Sequence, residues 1–176
     1  FGTGGVWRIH YVDSAFDGAT SVEAADVDGD GDFDVLAAGS IADDITWWEN
    51  GSGTGSGWVE HVVDAAVDGV NSAHAADVDG DGDLDLVGAA RNTDDVSWWE
   101  NTAGDGSAWV ERIVDSHFDG GMAIRAADID GDGDLDLVGA GWDGDDVSWW
   151  ENRIAIGLSW VRRNVATSFD GAADIH

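Results

Sequence analysis

The stretch Asp26-Val27-Asp28-Gly29-Asp30-Gly31-Asp32-Phe33-Asp34 sets five aspartates at alternating positions, with a glycine just past the middle. It returns as Asp77 to Asp85 and as Asp128 to Asp136, 51 residues further on each time. Five carboxylates so close in sequence repel one another, and a compact loop of this kind needs a cation to neutralise it. Calcium suits it, because it takes roughly six to eight oxygens at about 2.3–2.6 Å in irregular geometry, whereas magnesium demands a stricter octahedron and keeps its waters.

The spacing fits a single ion per loop. Asp26, Asp28 and Asp30, at loop positions 1, 3 and 5, can converge on it, Gly31 at position 6 permits the sharp turn, and Asp32 at position 7 would offer its carbonyl. An EF-hand would then need an acid at position 12, where this chain has Ala37, Gly88 or Gly139. The acid stands instead at position 9, as Asp34, Asp85 or Asp136, and a strand-like run such as Val35-Leu36-Ala37-Ala38 follows in place of a helix. The candidate ligands are therefore Asp26, Asp28, Asp30, Asp32 and Asp34 in the first loop. Asp77, Asp79, Asp81, Asp83 and Asp85 form the second set, and Asp128, Asp130, Asp132, Asp134 and Asp136 the third. Three Ca2+ sites are expected.

Working outward, the same period governs the rest of the chain. Trp7, Trp58, Trp109 and Trp160 correspond, each opening a strand-like run such as Trp58 to Val63. An Asp-Gly turn follows (Asp17-Gly18, Asp68-Gly69, Asp119-Gly120, Asp170-Gly171), then a short run such as Val22 to Ala25 that leads into the acidic loop. Behind the loop come a second run, a variable turn, and Asp-Asp-x-x-Trp-Trp-Glu-Asn at 43–50, 94–101 and 145–152. Each unit thus reads as four short strands with no helical period. A repeat of this length with four strands predicts a β-propeller blade. The fold class is all-β, built of blades of four antiparallel strands in three complete 51-residue repeats, within a larger propeller or repetitive assembly. Residues 1–12 are read as the outer strand of a preceding blade, 13–63, 64–114 and 115–165 as three blades, and 166–176 as the start of a following one. Trp-bearing blade faces at both ends are expected to be covered by neighbouring blades of the same longer chain or by copies of it.

On Asp77, Asp79, Asp81, Gly82 and Asp85, read as Asp-x-Asp-x-Asp-Gly-x-x-Asp, the chain resembles the FG-GAP/VCBS class of calcium-binding blades found in integrin alpha heads and many secreted bacterial proteins. The resemblance covers all three units. The Phe-Gly and Gly-Ala-Pro elements of the family are not evident and the chain has no proline, so the likeness is to the VCBS-like branch. It implies that the Val22 to Ala25 run is innermost and the Trp58 to Val63 run outermost. Ligand recognition in the integrin manner is not carried over.

Composition narrows the function. Against 37 acidic residues stand 7 arginines and no lysine, a net charge of −30. Nucleic acid is excluded as a partner, because phosphate binding needs a basic surface. No apolar run is long enough to span a bilayer, so membrane insertion is not expected. The acidity has two readings, solubility in a calcium-rich exterior or hydration at high salt. There is no cysteine, and metal ions would cross-link each unit in place of disulfides. An extracellular or cell-surface setting follows, because millimolar calcium is found there.

Other residues are weighed against packing. Neighbours on a strand point to opposite faces, so the pairs Trp47/Trp48, Trp98/Trp99 and Trp149/Trp150 should give one ring to each inter-blade surface; the competing reading is a sugar platform. The adjacent acids Asp43/Asp44, Asp94/Asp95 and Asp145/Asp146 are not a glycosidase pair, since such pairs come from separate segments. His10 and His61 alternate with Arg112 and Arg163, which reads as an exposed outer-strand position. Glu23, His74, Arg125 and His176 share one inner-strand position facing a wet channel. The turn position Ser40/Arg91/Trp142 varies most, making Trp142 and Arg91 the candidate ligand contacts. A calcium-stabilised structural or adhesive module, not an enzyme, is the reading that results. The alternatives are a lectin-like propeller binding glycans or cell-surface proteins, and an ancillary domain of a polysaccharide-degrading enzyme.

Overall fold

The computed structural model describes residues 7–153 and 157–175. Twelve strands form three sheets of four, and the described residues contain no helix. The first sheet runs β1 (Ala19–Ala25), β2 (Asp34–Gly39), β3 (Asp44–Glu49) and β4 (Val59–Asp64). The second holds β5 (Val70–Ala76), β6 (Asp85–Ala90), β7 (Asp95–Asn101) and β8 (Trp109–Asp115). The third holds β9 (Gly121–Ala127), β10 (Asp136–Gly141), β11 (Asp146–Asn152) and β12 (Trp160–Ala166). Every sheet is an antiparallel meander in chain order, as expected of a blade.

Sheet faces are closed by the tryptophan pairs. On β7, Trp99 packs with Trp47, Leu36 and Ile45 of the first blade, while Trp98 packs with Phe118, Ile124 and Trp150 toward the third. One ring goes to each face, as the alternation of a strand requires. The neighbouring second strand must be thin beneath these rings: a Cβ on Gly88 would lie 2.8 Å from Cζ3 of Trp99 and 3.1 Å from Cδ1 of Ile45. Two-sided burial explains why β6 is apolar or small along its length apart from Asp85, whereas the outer strand β8 alternates with solvent. Burying a large aromatic on this scale contributes on the order of 2–3 kcal/mol.

The first strands of successive sheets lie side by side. Ala73 N–H donates to Ser21 Oγ at 3.0 Å, and Ile124 N–H donates to Ser72 Oγ at 3.3 Å, so a serine hydroxyl replaces a ladder partner at each junction. Glu23 and His74 meet there at 2.8 Å, and Arg125 lines the same inner groove with Ser21, Ser72 and Asn71. His176 lies outside the described residues.

Two expectations change. Residues 7–12 form no strand, and Trp7 is 98% exposed: an outer strand pairs only with the third strand of its own sheet, and the described residues offer these none. Residues 1–6 lie outside the described residues. At the other end, 167–175 also carry no strand, yet Phe169 N–H donates to Asp145 O at 2.8 Å and Ala172 is buried against Ala123 and Ala140. The histidine position on the outer strand is not simply exposed. The His61 ring stacks on Trp47 at 4.4 Å and bonds Glu49 at 2.9 Å, and Arg112 and Arg163 do the same over Trp98 and Trp149 with Glu100 and Glu151.

Candidate metal centres

Each acidic loop joins the first strand of its sheet to the second, at the same end of every blade. Gly31, Gly82 and Gly133 sit at φ 97°, 102° and 100°, a conformation closed to other residues, and nothing approaches where a Cβ would stand. Backbone conformation, not space, is what requires glycine there. The turn brings Gly31 N–H to Asp26 Oδ2 at 3.1 Å, with the same bond from Gly82 to Asp77 and, at 3.2 Å, from Gly133 to Asp128.

Of the five acids in each loop, the structure brings three together. One carboxylate oxygen from each of Asp26, Asp28 and Asp34 lies within 4.8 Å of the other two, as do those of Asp77, Asp79 and Asp85, and of Asp128, Asp130 and Asp136. These are positions 1, 3 and 9. The acids at position 5 stay outside the group and cap the chain instead: Asp32 N–H donates to Asp30 Oδ1 at 2.8 Å, Asp83 N–H to Asp81 at 3.0 Å and Asp134 N–H to Asp132 at 3.0 Å. At position 7, the side chains of Asp32 and Asp83 turn toward the linker, so closely that a side chain on Gly53 or Gly104 would collide with them. Asp134 is likewise outside the third group.

The closing acid is the most constrained. Asp34, Asp85 and Asp136 are almost wholly buried. Asp85 Oδ2 accepts from Val78 N–H and Oδ1 from Asn101 N–H, both at 2.9 Å, and the pair is repeated at Asp34 and Asp136. The asparagine amide then reaches back, Asn101 Nδ2 donating to Leu84 O at 3.2 Å and its Oδ1 accepting from Gly106 N–H at 3.1 Å. Asn50, Asn101 and Asn152 were not singled out from sequence, although Trp-Trp-Glu-Asn is repeated without change in all three units.

Burial pushes the Asp85 carboxyl up to about 7, against the pull of the Asn101 and Val78 amides, and the charges of Asp79 and Asp81 add to the rise. Asp34, Asp136, Asp28 and Asp79 are raised too, burial again leading. Asp26 Oδ1 and Asp77 Oδ1 are buried and accept no hydrogen bond at all. A buried carboxylate oxygen without a donor is costly, by about 1–3 kcal/mol or more. A hard cation between positions 1, 3 and 9 answers both the orphaned oxygen and the mutual repulsion, so the residues present fit calcium. In the third loop Asp128 Oδ1 is instead taken by Gly131 N–H at 2.7 Å.

The variable-turn candidates serve the junctions between blades. Arg91 Nε and Nη2 donate to the two carboxylate oxygens of Asp143 at 2.9 and 3.0 Å, tying the second blade to the third. Trp142 is 45% exposed and its ring covers Gly171. The adjacent acids also act there. Asp43, Asp94 and Asp145 adopt φ 59°, 60° and 50°, and each side chain accepts from the glycine of the next Asp-Gly turn, Gly69, Gly120 or Gly171, at 2.8–3.0 Å.

The family model described as FG-GAP-like repeat matches the chain twice, over 26–88 and 77–139. Each match runs from one acidic loop through the next, and together they cover well over half of the sequence. No curated protein matches it. The chain belongs to the FG-GAP-like repeat family.

Proposed function

We propose that this member of the FG-GAP-like repeat family is a calcium-stabilised scaffold of the VCBS-like branch with a structural or adhesive role, placed outside the cell or on its surface. One Ca2+ is held per blade. The observation that carries this is the buried, donor-less Oδ1 of Asp26 and of Asp77, each beside two further carboxylates. Positions 1, 3 and 9 would hold the ion, the remaining oxygens coming from the same loop or from water. Bound there, calcium supplies charge neutralisation and a cross-link between the ends of the first and second strands. Neighbouring blades of a longer chain, or further copies, are the partners proposed for the outer faces of the first and third blades.

The reading is of a binding scaffold rather than an enzyme. The tryptophan pairs favour it over a lectin, since Trp47, Trp48, Trp98, Trp99 and Trp150 are buried in or against the blades and cannot stack on a sugar. Thermal melting in EGTA tests the calcium role. The midpoint should fall markedly in low salt and return on adding calcium but not magnesium. An unchanged melting curve in chelator would sink the proposal. Protease shaving of intact cells that express the full-length protein tests the placement, which fails if the repeats are released only after lysis.

A further inference from the structure

Between the first and second blades lies a cavity of about 100 Å³ lined by Asp64, Thr93, Asp95, Ser97, Trp99 and Glu111. Among the described residues, no arginine or histidine pairs with any of its three carboxylates. The next junction repeats the same wall 51 residues on, with Asp115, Asp146, Ser148 and Trp150 in the places of Asp64, Asp95, Ser97 and Trp99. There the space is filled. Arg162, in the place of Glu111, sends Nη2 to Asp146 Oδ2 at 2.6 Å and Nη1 to Asp115 Oδ2 at 3.3 Å. Its Nη1 also donates to His117 O at 2.9 Å and its Nε to Ser148 Oγ at 3.1 Å. The guanidinium lies 5.8 Å from the Trp150 ring and 5.1 Å from that of Phe118.

We propose that the cavity between the first and second blades is a binding site for a small guanidinium compound. Two replacements open it: Glu111 removes the internal guanidinium and adds a third carboxylate, and Val67 stands where Phe118 fills the next junction. What remains is the receptor half of the Arg162 site. Asp64 keeps its geometry, with Oδ2 accepting from Trp99 Nε1 at 3.1 Å as Asp115 accepts from Trp150 at 3.0 Å. Ser97 Oγ, freed from a guanidinium, donates to Glu111 Oε1 at 2.9 Å. A planar, weakly hydrated cation matches two separated carboxylates and an aromatic face, whereas a compact ammonium does not. A bare metal ion is also a poorer fit. Among the described residues, three carboxylates converge within 4.8 Å only in the acidic loops.

Calorimetric titration of methylguanidinium into the calcium-loaded chain at low ionic strength tests the site. One saturable site is expected, with methylammonium at least about tenfold weaker, because it lacks the planar fork. Glu111→Arg should supply the group internally and abolish the binding. Glu60→Gln, at the corresponding exposed position of the first blade, should change nothing. Circular dichroism checks the fold of each variant, and Asp95→Asn, which should weaken binding at least about tenfold, replaces Glu111→Arg if that chain does not fold. Absence of saturable binding, equal binding by Glu111→Arg or undiminished binding by Asp95→Asn, or equal affinity for methylammonium overturns the proposal.

Discussion

Asn101 N–H donates to Asp85 Oδ1 at 2.9 Å across sixteen residues, so the acid that closes the second loop also ties that loop to the end of the third strand. Its other oxygen is held by Val78 N–H inside the loop itself. One buried side chain thus serves as hydrogen-bond hub and candidate metal ligand together.

Asp85 and Asp79 should therefore fail differently when mutated. Asp85→Ala strands two buried amides and should cost about 2–5 kcal/mol with or without calcium, each orphaned donor costing about 1–3 kcal/mol. Asp79→Asn leaves those amides bonded and should lower stability only in calcium-containing buffer. Urea denaturation of both variants in calcium and in EGTA separates the two. Equal losses for Asp79→Asn in both buffers would contradict the assigned roles.

The raised Asp85 carboxyl gives a pH dependence of definite sign. Its folded value of about 7 lies above its ordinary 3.8, so between these limits the metal-free folded state holds more protons than the unfolded one. Metal-free stability should be fully present below about pH 4 from this group and should fall as pH rises toward 7. Calcium, which binds the ionised form, should reverse the trend, with affinity rising over the same window. Melting temperatures between pH 4.5 and 8, with and without calcium, check this. Parallel curves would rule out the assigned coupling.

The left-handed aspartate at each junction predicts a conservative rescue. Asp94 stands at φ 60°, and its Oδ1 accepts from Gly120 N–H at 3.0 Å while its carbonyl accepts from Phe118 N–H at 2.8 Å. Asparagine tolerates that conformation and keeps an acceptor, so Asp94→Asn should stay within about 0.5 kcal/mol of the parent. Asp94→Ala loses both and should cost about 2 kcal/mol. Chemical denaturation of the two variants decides, and an alanine variant as stable as the asparagine one would refute the account.

The period, the four strands per unit and the acidic loops were legible from sequence because each rests on local order: alternation along a strand, glycine in a turn, carboxylates two residues apart. The packing of the Trp98/Trp99 pair was legible for the same reason, since adjacent strand residues must face opposite ways. Which acids converge was not. Positions 1, 3 and 9 meet while Asp30 and Asp32 turn outward, because the loop's glycine dihedrals and the burial of Asp34 set side-chain directions that the alternating spacing leaves open. Asn101 depends on partners brought close when its own sheet forms, and Asp94 and the Arg162 site on partners brought close by blade stacking. Contacts between segments sixteen to fifty residues apart exist only once each sheet has formed and closed on its neighbour, and there tertiary structure alone decided the chemistry.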